Sequence, residues 1–198
     1  MTRLIMDSST NYLYISLIKD QLEIWKYLER GNNDHSEKLS NLIKTMLTET
    51  SIKVDDIDEI IVGKGPGSYT GVRVSMTIAK VFSWAKHIRL LTYSSLDLIA
   101  SNKLKQDGIY VVKLDARRGN SFFKVIELKH TRVVSLVEDS FSSNTNINEL
   151  IDKYYSSAIL IDQVSESSFD ITALEKFKMI HEVKDIYSFV PNYVRSGL

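Results

Sequence analysis

"GKGPGSYTGVRVSM", residues 63–76, holds four of the chain's eight glycines and one of its two prolines. It joins the β-rich run "IDEIIVG", residues 57–63, to the helical pattern "TGVRVSMTIAKVFSWAKH", residues 70–87, so it marks a tight strand-to-helix crossing. A Walker loop needs Gly-Lys-Ser/Thr at its end, but Gly71 is followed by Val72 and Arg73. The dinucleotide fingerprint also fails, because Ser68 stands where a third glycine should follow Gly63 and Gly65. A helix N-terminus at this point can still offer N–H groups to an anion. The favoured reading is structural: Gly65 and Gly67 take dihedrals closed to other residues, Pro66 stiffens the crossing, and Ser68 and Gly71 complete the loop.

The helix after the loop is apolar over more than one stripe. Val72, Val74, Met76, Ile78, Ala79, Val81, Phe82 and Ala85 sweep well over half its circumference, leaving a narrow polar strip of Arg73, Thr77 and Lys80. Such a helix is buried on two sides, the second covered by another helix or by another chain.

Upstream, "RLIMD", "NYLYISLIK" and "LEIWKYLE" predict a three-strand meander over residues 3–29. "DHSEKLSNLIKTMLTET" then changes period, with Leu39, Leu42, Ile43, Met46 and Leu47 on one helical face and Asp34 and Glu37 placed as a capping box. "IRLLTY" adds a strand and "SSLDLIASN" a helix. The polar run "NKLKQDG", residues 102–108, is the best linker, dividing the chain into 1–103 and 104–198. Beyond it "IYVVKLDARR", "NSFFKVIELK" and "TRVVSLVE" repeat the element order of the first half, followed by a helix around "NINELIDKYY" and a strand "AILID". The expected architecture is α/β, two βββαβα units with the second reduced, its last segment packing back on the first.

The chain has 198 residues, 25 basic and 25 acidic, so it carries no general positive field for a nucleic-acid backbone. It has no cysteine, which excludes disulfides, thiol catalysis and cysteine-bound metals. Residues 1–10 reach charge and polarity too soon for a signal peptide, and no apolar run is long enough to span a bilayer. A soluble, cytoplasmic protein is expected.

Asp7 and Asp115 end the first strand of each half, as do the acids that organise magnesium and phosphates in the actin, Hsp70 and sugar-kinase superfamily. They are the candidates for a nucleotide cleft, against the plainer reading of a carboxylate capping a turn. "DSSTNY" lacks the glycine-bearing hairpin usual for phosphate binding. No pair among His35, His87, His130 and His181 has a helical ligand spacing, so no autonomous metal site is expected. No serine lies in a G-x-S-x-G elbow, which leaves no nucleophile set for a peptidase. Arg117 and Arg118 can contact a phosphate or an acidic partner, although a surface ion pair is the more frequent fate of such a pair.

"LIMDSST", "HSEKLSNLIKTML", the block from "VGKGPGSYTGVRVSM" to "SSLDLIA", "VKLDARRGNSFF" and "PNYVR" resemble, in order, the motifs of the TsaB (YeaZ) family. Tyr69 stands where the family usually has Phe, and Ser75 where glycine is common. The resemblance implies an actin/Hsp70-like protein without catalytic residues, a scaffold or activator for a paralogous TsaD-like transferase. That enzyme transfers threonylcarbamoyl from threonylcarbamoyl-AMP to N6 of the adenosine adjacent to the anticodon in tRNA. It further implies a TsaE-like ATPase partner, a homodimer when alone, tRNA reached only through the complex, and ATP or ADP with magnesium at the level of the complex. The implied partner interface is Leu39, Leu42, Ile43, Met46, Val72, Met76, Ala79, Lys80 and Ser83. The alternative is a small magnesium-dependent ATPase or kinase built on Asp7 and Asp115.

Overall fold

A computed structural model describes residues 1–31 and 35–194 of the chain. They form two units: Met1–Ser95 with Ile180–Asn192, and Leu96–Met179 with the residues from Tyr193 on.

The first unit opens with the expected meander, β1 (Thr2–Asp7), β2 (Tyr12–Lys19) and β3 (Leu22–Arg30). β1 and β2 are buried along nearly their whole length, as their unbroken apolar runs require, while β3 is an exposed edge. Helix α1 (His35–Thr50) returns the chain to β4 (Glu59–Gly63), which lies parallel to β1. Helix α2 (Tyr69–Lys86) then leads to β5 (Arg89–Tyr93), parallel to β4. Asp34 of the proposed capping box lies outside the described residues. Ser68 caps α2, its hydroxyl accepting from Gly71 N at 3.3 Å, and His87 ends the helix in a left-handed conformation.

Helix α3 (Ser95–Ser101) leads into a second meander, β6 (Gly108–Asp115), β7 (Asn120–Lys129) and β8 (Arg132–Ser143). Helix α4 (Asn144–Tyr154) and a three-residue strand β9 (Ile159–Ile161), parallel to β6, repeat the crossover. Where the first unit continues with a long helix and a strand, the second has only the six-residue helix α5 (Ile171–Lys176). The second unit is therefore the reduced copy. A last strand, β10 (His181–Glu182), pairs antiparallel with β5, giving sheet orders β10-β5-β4-β1-β2-β3 and β8-β7-β6-β9.

The unit boundary falls at Ser95/Leu96, inside α3, and not at 103/104. Two contacts explain the shift: Lys124 Nζ on β7 donates to Asp97 Oδ1 at 2.7 Å, and Asn102 Nδ2 donates to the Ser167 carbonyl at 2.6 Å. The first ties α3 to the second sheet and the second ties the residue after α3 to the turn at residues 166–168 of the same unit, which a polar run read on its own cannot reveal. The core of the first unit sits between its sheet and α1 and α2: Leu4, Met6, Leu13, Ile15 and Leu17 meet Leu39, Ile43, Met46 and Ala79. In the second, Val111, Phe123 and Val125 meet Ile147 of α4. Among the described residues no helix is long and apolar enough to cross a membrane.

Candidate functional site

The glycine loop is filled by its own chain. A methyl group at Gly63 would overlap the Asp7 carboxylate, one at Gly67 the Ser9 carbonyl, and one at Gly71 the Ser8 carbonyl. The bare glycines thus let residues 7–9, just after β1, lie directly against the strand-to-helix crossing. Hydrogen bonds lock them there: Ser68 N donates to the Ser9 carbonyl at 2.6 Å, and Ser8 Oγ to the Gly71 carbonyl at 2.7 Å. Gly65, at φ 90° before a cis Pro66, gives its carbonyl to Ser95 N at 2.9 Å. Lys64 N donates to the Tyr93 carbonyl at 3.0 Å, and its own carbonyl accepts from Asn192 N at 2.8 Å. The Ser68 N–H at the helix start, a donor an anion would need there, is taken by the Ser9 carbonyl.

Asp7 lies under this lid, 1% exposed. One carboxylate oxygen accepts from Ser9 N at 2.8 Å and Ser9 Oγ at 2.6 Å; the other is 3.4 Å from Ser95 Oγ. Burial pushes its pKa up, and the bonds from Ser9 only partly oppose this. The fully buried Tyr93 phenol lies beside it, raised well above its ordinary value by burial and then by the Asp7 charge, without a well-formed hydrogen bond of its own among the described residues. Ser8, Ser9, Tyr93 and Ser95 are not singled out by the sequence, and Gly63 enters there only through the failed dinucleotide fingerprint. The four small polar residues "SSTN" after Asp7 were the available signal.

Asp115 belongs to the second unit, is exposed, and accepts from Arg117 N at 2.9 Å, as in the turn-capping reading. His87, His130 and His181 are exposed and lie on separate elements. Among the described residues no three His, Cys, Asp or Glu side chains converge as a metal site would need.

The residues assigned to a partner surface divide differently from expectation. Leu39, Ile43, Met46, Val72, Met76 and Ala79 are at most 3% exposed, all inside the chain's own core. Ser83 is turned inward too, donating from Oγ to the Ile88 carbonyl at 2.6 Å, and Leu42 is half-buried against the same core. Lys80 Nζ donates to the carbonyls of Phe189 at 2.7 Å and Tyr187 at 3.5 Å. Val183, Ile186 and Phe189 pack onto the core of the first unit, so a strap over residues 183–189 crosses α2 and covers one of its apolar flanks. Periodicity reports that a helix is apolar on two flanks; it cannot report that a segment a hundred residues later covers one of them.

What α2 leaves outside is a different set. Tyr69, Val81 and Trp84 are 58%, 52% and 62% exposed, with Val74, Ile78 and Phe82 half-buried on the flank facing α1. Arg73 lies over the Tyr69 ring at 4.0 Å. Beside Phe82 a cleft of about 370 Å³ opens between the helices, lined by Ile43, Leu47 and Ile52 together with Lys44 and Lys53.

A family model described as TsaD, tRNA N6-adenosine threonylcarbamoyltransferase, matches residues 29–195. The tRNA threonylcarbamoyladenosine biosynthesis protein TsaB of Bacillus subtilis is 33% identical over 70% of this chain, and the match spans 61% of that relative. The protein of the same name from a Buchnera of Acyrthosiphon pisum is 24% identical over 94% of the chain and 82% of its own length. Among solved structures, YeaZ from Pseudomonas aeruginosa superimposes with a TM-score of 0.60 at 22% identity, covering 72% of this chain and 66% of that one. A protein described as similar to peptidase YeaZ from Pseudomonas aeruginosa reaches a TM-score of 0.75 at 17% identity, over 98% of this chain and 99% of that one. With the doubled β-meander, the glycine crossing and the TsaD-type match over most of its length, the chain belongs to the TsaB (YeaZ) family of the actin/Hsp70/sugar-kinase superfamily.

Proposed function

We propose that the chain is the non-catalytic scaffold or activating subunit of a tRNA threonylcarbamoyladenosine transferase complex, docking through the outer face of α2 on a TsaD-like paralogue. The observation that carries this reading is the closed glycine loop. Residues 7–9 and 63–71 are fastened to each other, while the helix launched from that loop presents Val81 and Trp84 to solvent. Exposed aromatic and aliphatic side chains on one helix face are the usual anchors of a protein interface. The TsaD-type match supports a partner built on the same fold, which would carry an equivalent helix pair to receive them. On this reading ATP or ADP, magnesium and a TsaE-like ATPase act at the level of the complex, and a homodimer through the same face is the resting form.

The test is light scattering of the chain mixed with its TsaD-like paralogue. Trp84→Glu, at an exposed position, should leave the fold intact and weaken association by about 2 kcal/mol or more. Met76→Glu and Ala79→Glu should instead unfold the chain, since both positions are closed to solvent. Undiminished association of the Trp84 variant would remove α2 as the docking face.

A further inference from the structure

The β6–β7 turn carries an unneutralised pair of arginines on a backbone that disfavours them. Arg117, Arg118 and Gly119 have φ of 67°, 54° and 74° in succession. Left-handed dihedrals suit glycine and asparagine, and two consecutive long L side chains there run against the local preference. Two other tight turns have the same geometry, and each is tied down by a charged partner. At Asp20–Gln21 the Asp20 carboxylate takes the Met1 ammonium at 2.6 Å; at His130–Thr131 the Asp107 carboxylate accepts from His130 N at 3.0 Å. The arginine turn has the same backbone tie, the Asp115 carboxylate accepting from Arg117 N at 2.9 Å, but its side-chain charges are not engaged: among the described residues neither guanidinium makes an ion pair or a hydrogen bond. The neighbouring Asp115 carboxylate is turned to the Arg117 backbone N–H, not to its guanidinium.

The backbone of the turn is held so that its carbonyls point inward. The Arg117 carbonyl accepts from Asn120 N at 3.1 Å, the Arg118 carbonyl from Asn120 Nδ2 at 3.0 Å, and the Gly119 carbonyl from Asn144 N at 2.8 Å. The negative ends of three peptide dipoles are thereby satisfied inside the turn, and two forked cations remain outside it. Arginine forks match phosphate oxygens two at a time. The turn offers no exposed apolar side chain: Ala116 is buried, and the rest of 115–120 is acidic, basic, amide or glycine. A protein interface is built around an apolar centre, whereas a contact with a phosphodiester backbone needs none.

We infer that the Arg117–Arg118 turn is a contact for the phosphodiester backbone of RNA. The inference rests on the proposed function, since the RNA it would meet is the tRNA brought to that complex, and it adds a direct contact from this chain.

The experiment is filter binding of an unmodified tRNA transcript across a salt series, with the full-length chain alone and with the chain mixed with its TsaD-like paralogue. The wild type is compared with the double variant Arg117→Asn, Arg118→Gly. Asn-Gly suits a left-handed turn, so the variant should melt roughly 2–4 °C higher while binding RNA less well. Loss of two phosphate contacts should lower the slope of log affinity against log salt by about 1.4–1.8. An unchanged affinity and slope, or no RNA binding by either species, would overturn the inference. Weaker association with the paralogue at unchanged RNA affinity would overturn it too, in favour of an acidic protein surface. Complex formation is scored separately by light scattering, so a chain that fails to assemble counts against the proposed function, while the arginine dependence of its own RNA binding still decides the inference.

Discussion

Burial pushes the Asp7 carboxyl above its ordinary pKa of 3.8, against the hydrogen bonds from Ser9 that favour the ion. The folded state therefore keeps this proton to a higher pH than the unfolded chain does. Its contribution to stability is fully present below 3.8 and is lost as the pH rises through the raised folded value. Asn at this position is neutral at every pH and retains an oxygen for the Ser9 donors. In denaturant melts at pH 7, Asp7→Asn should match or exceed the wild type, and its advantage should vanish toward pH 4. A variant weaker than wild type at pH 7 and equal to it at pH 4 would mean that the ionised carboxylate stabilises the fold. That Asp7 mattered was visible in the sequence, as an acid at the end of the first strand. Its closure was not, because Gly63, Gly67 and Gly71 act on it through space made by missing side chains, which spacing alone does not connect to residues 7–9.

Among elements, α2 and the strap over residues 183–189 depend on each other. Lys80 is the polar link, its ammonium serving two strap carbonyls, while Val183, Ile186 and Phe189 supply the apolar contact. Lys80→Ala removes a charge-assisted pair of bonds, a loss of about 1.5–3 kcal/mol. The loss should concentrate in the strap. Hydrogen exchange should quicken at the amides of Val183 and Asn192, which bond to the Leu90 and Lys64 carbonyls, and stay slow at the β1–β4 pairing. Equal acceleration in both places would show that the strap does not open independently. The helix itself was legible from Val72, Met76 and Ala79. Which of its flanks meets solvent was not, because helical period fixes relative angle and not which angle is exposed.

At the scale of the whole molecule, the doubled βββαβ order was legible and the unit boundary was not. The polar run at residues 102–108 advertised a linker, but α3 already belongs with the second sheet because Lys124 and Asp97 meet inside it. Burial lowers the pKa of the Lys124 ammonium, and Asp97 and Asp139 more than reverse this, so its pKa ends above the ordinary 10.5. With that direction its contribution holds at all pH values below 10.5 and is lost only as the pH rises through the folded value. Lys124→Ala would leave carboxylates in a site less than one-tenth exposed, a cost of about 3–5 kcal/mol. Replacing Lys124 and Asp97 together by Met and Leu should recover most of it. Equilibrium unfolding of the single and double variants checks both, and a double variant as weak as the single one would place the loss in packing instead of charge.

The strap also sets an order in time. Its residues are synthesised after every residue of Leu96–Met179, yet they complete the sheet and core begun by Met1–Ser95. While the ribosome makes the second unit, β5 keeps an open edge and α2 an uncovered flank, so the first unit waits, incompletely closed, for a segment not yet translated.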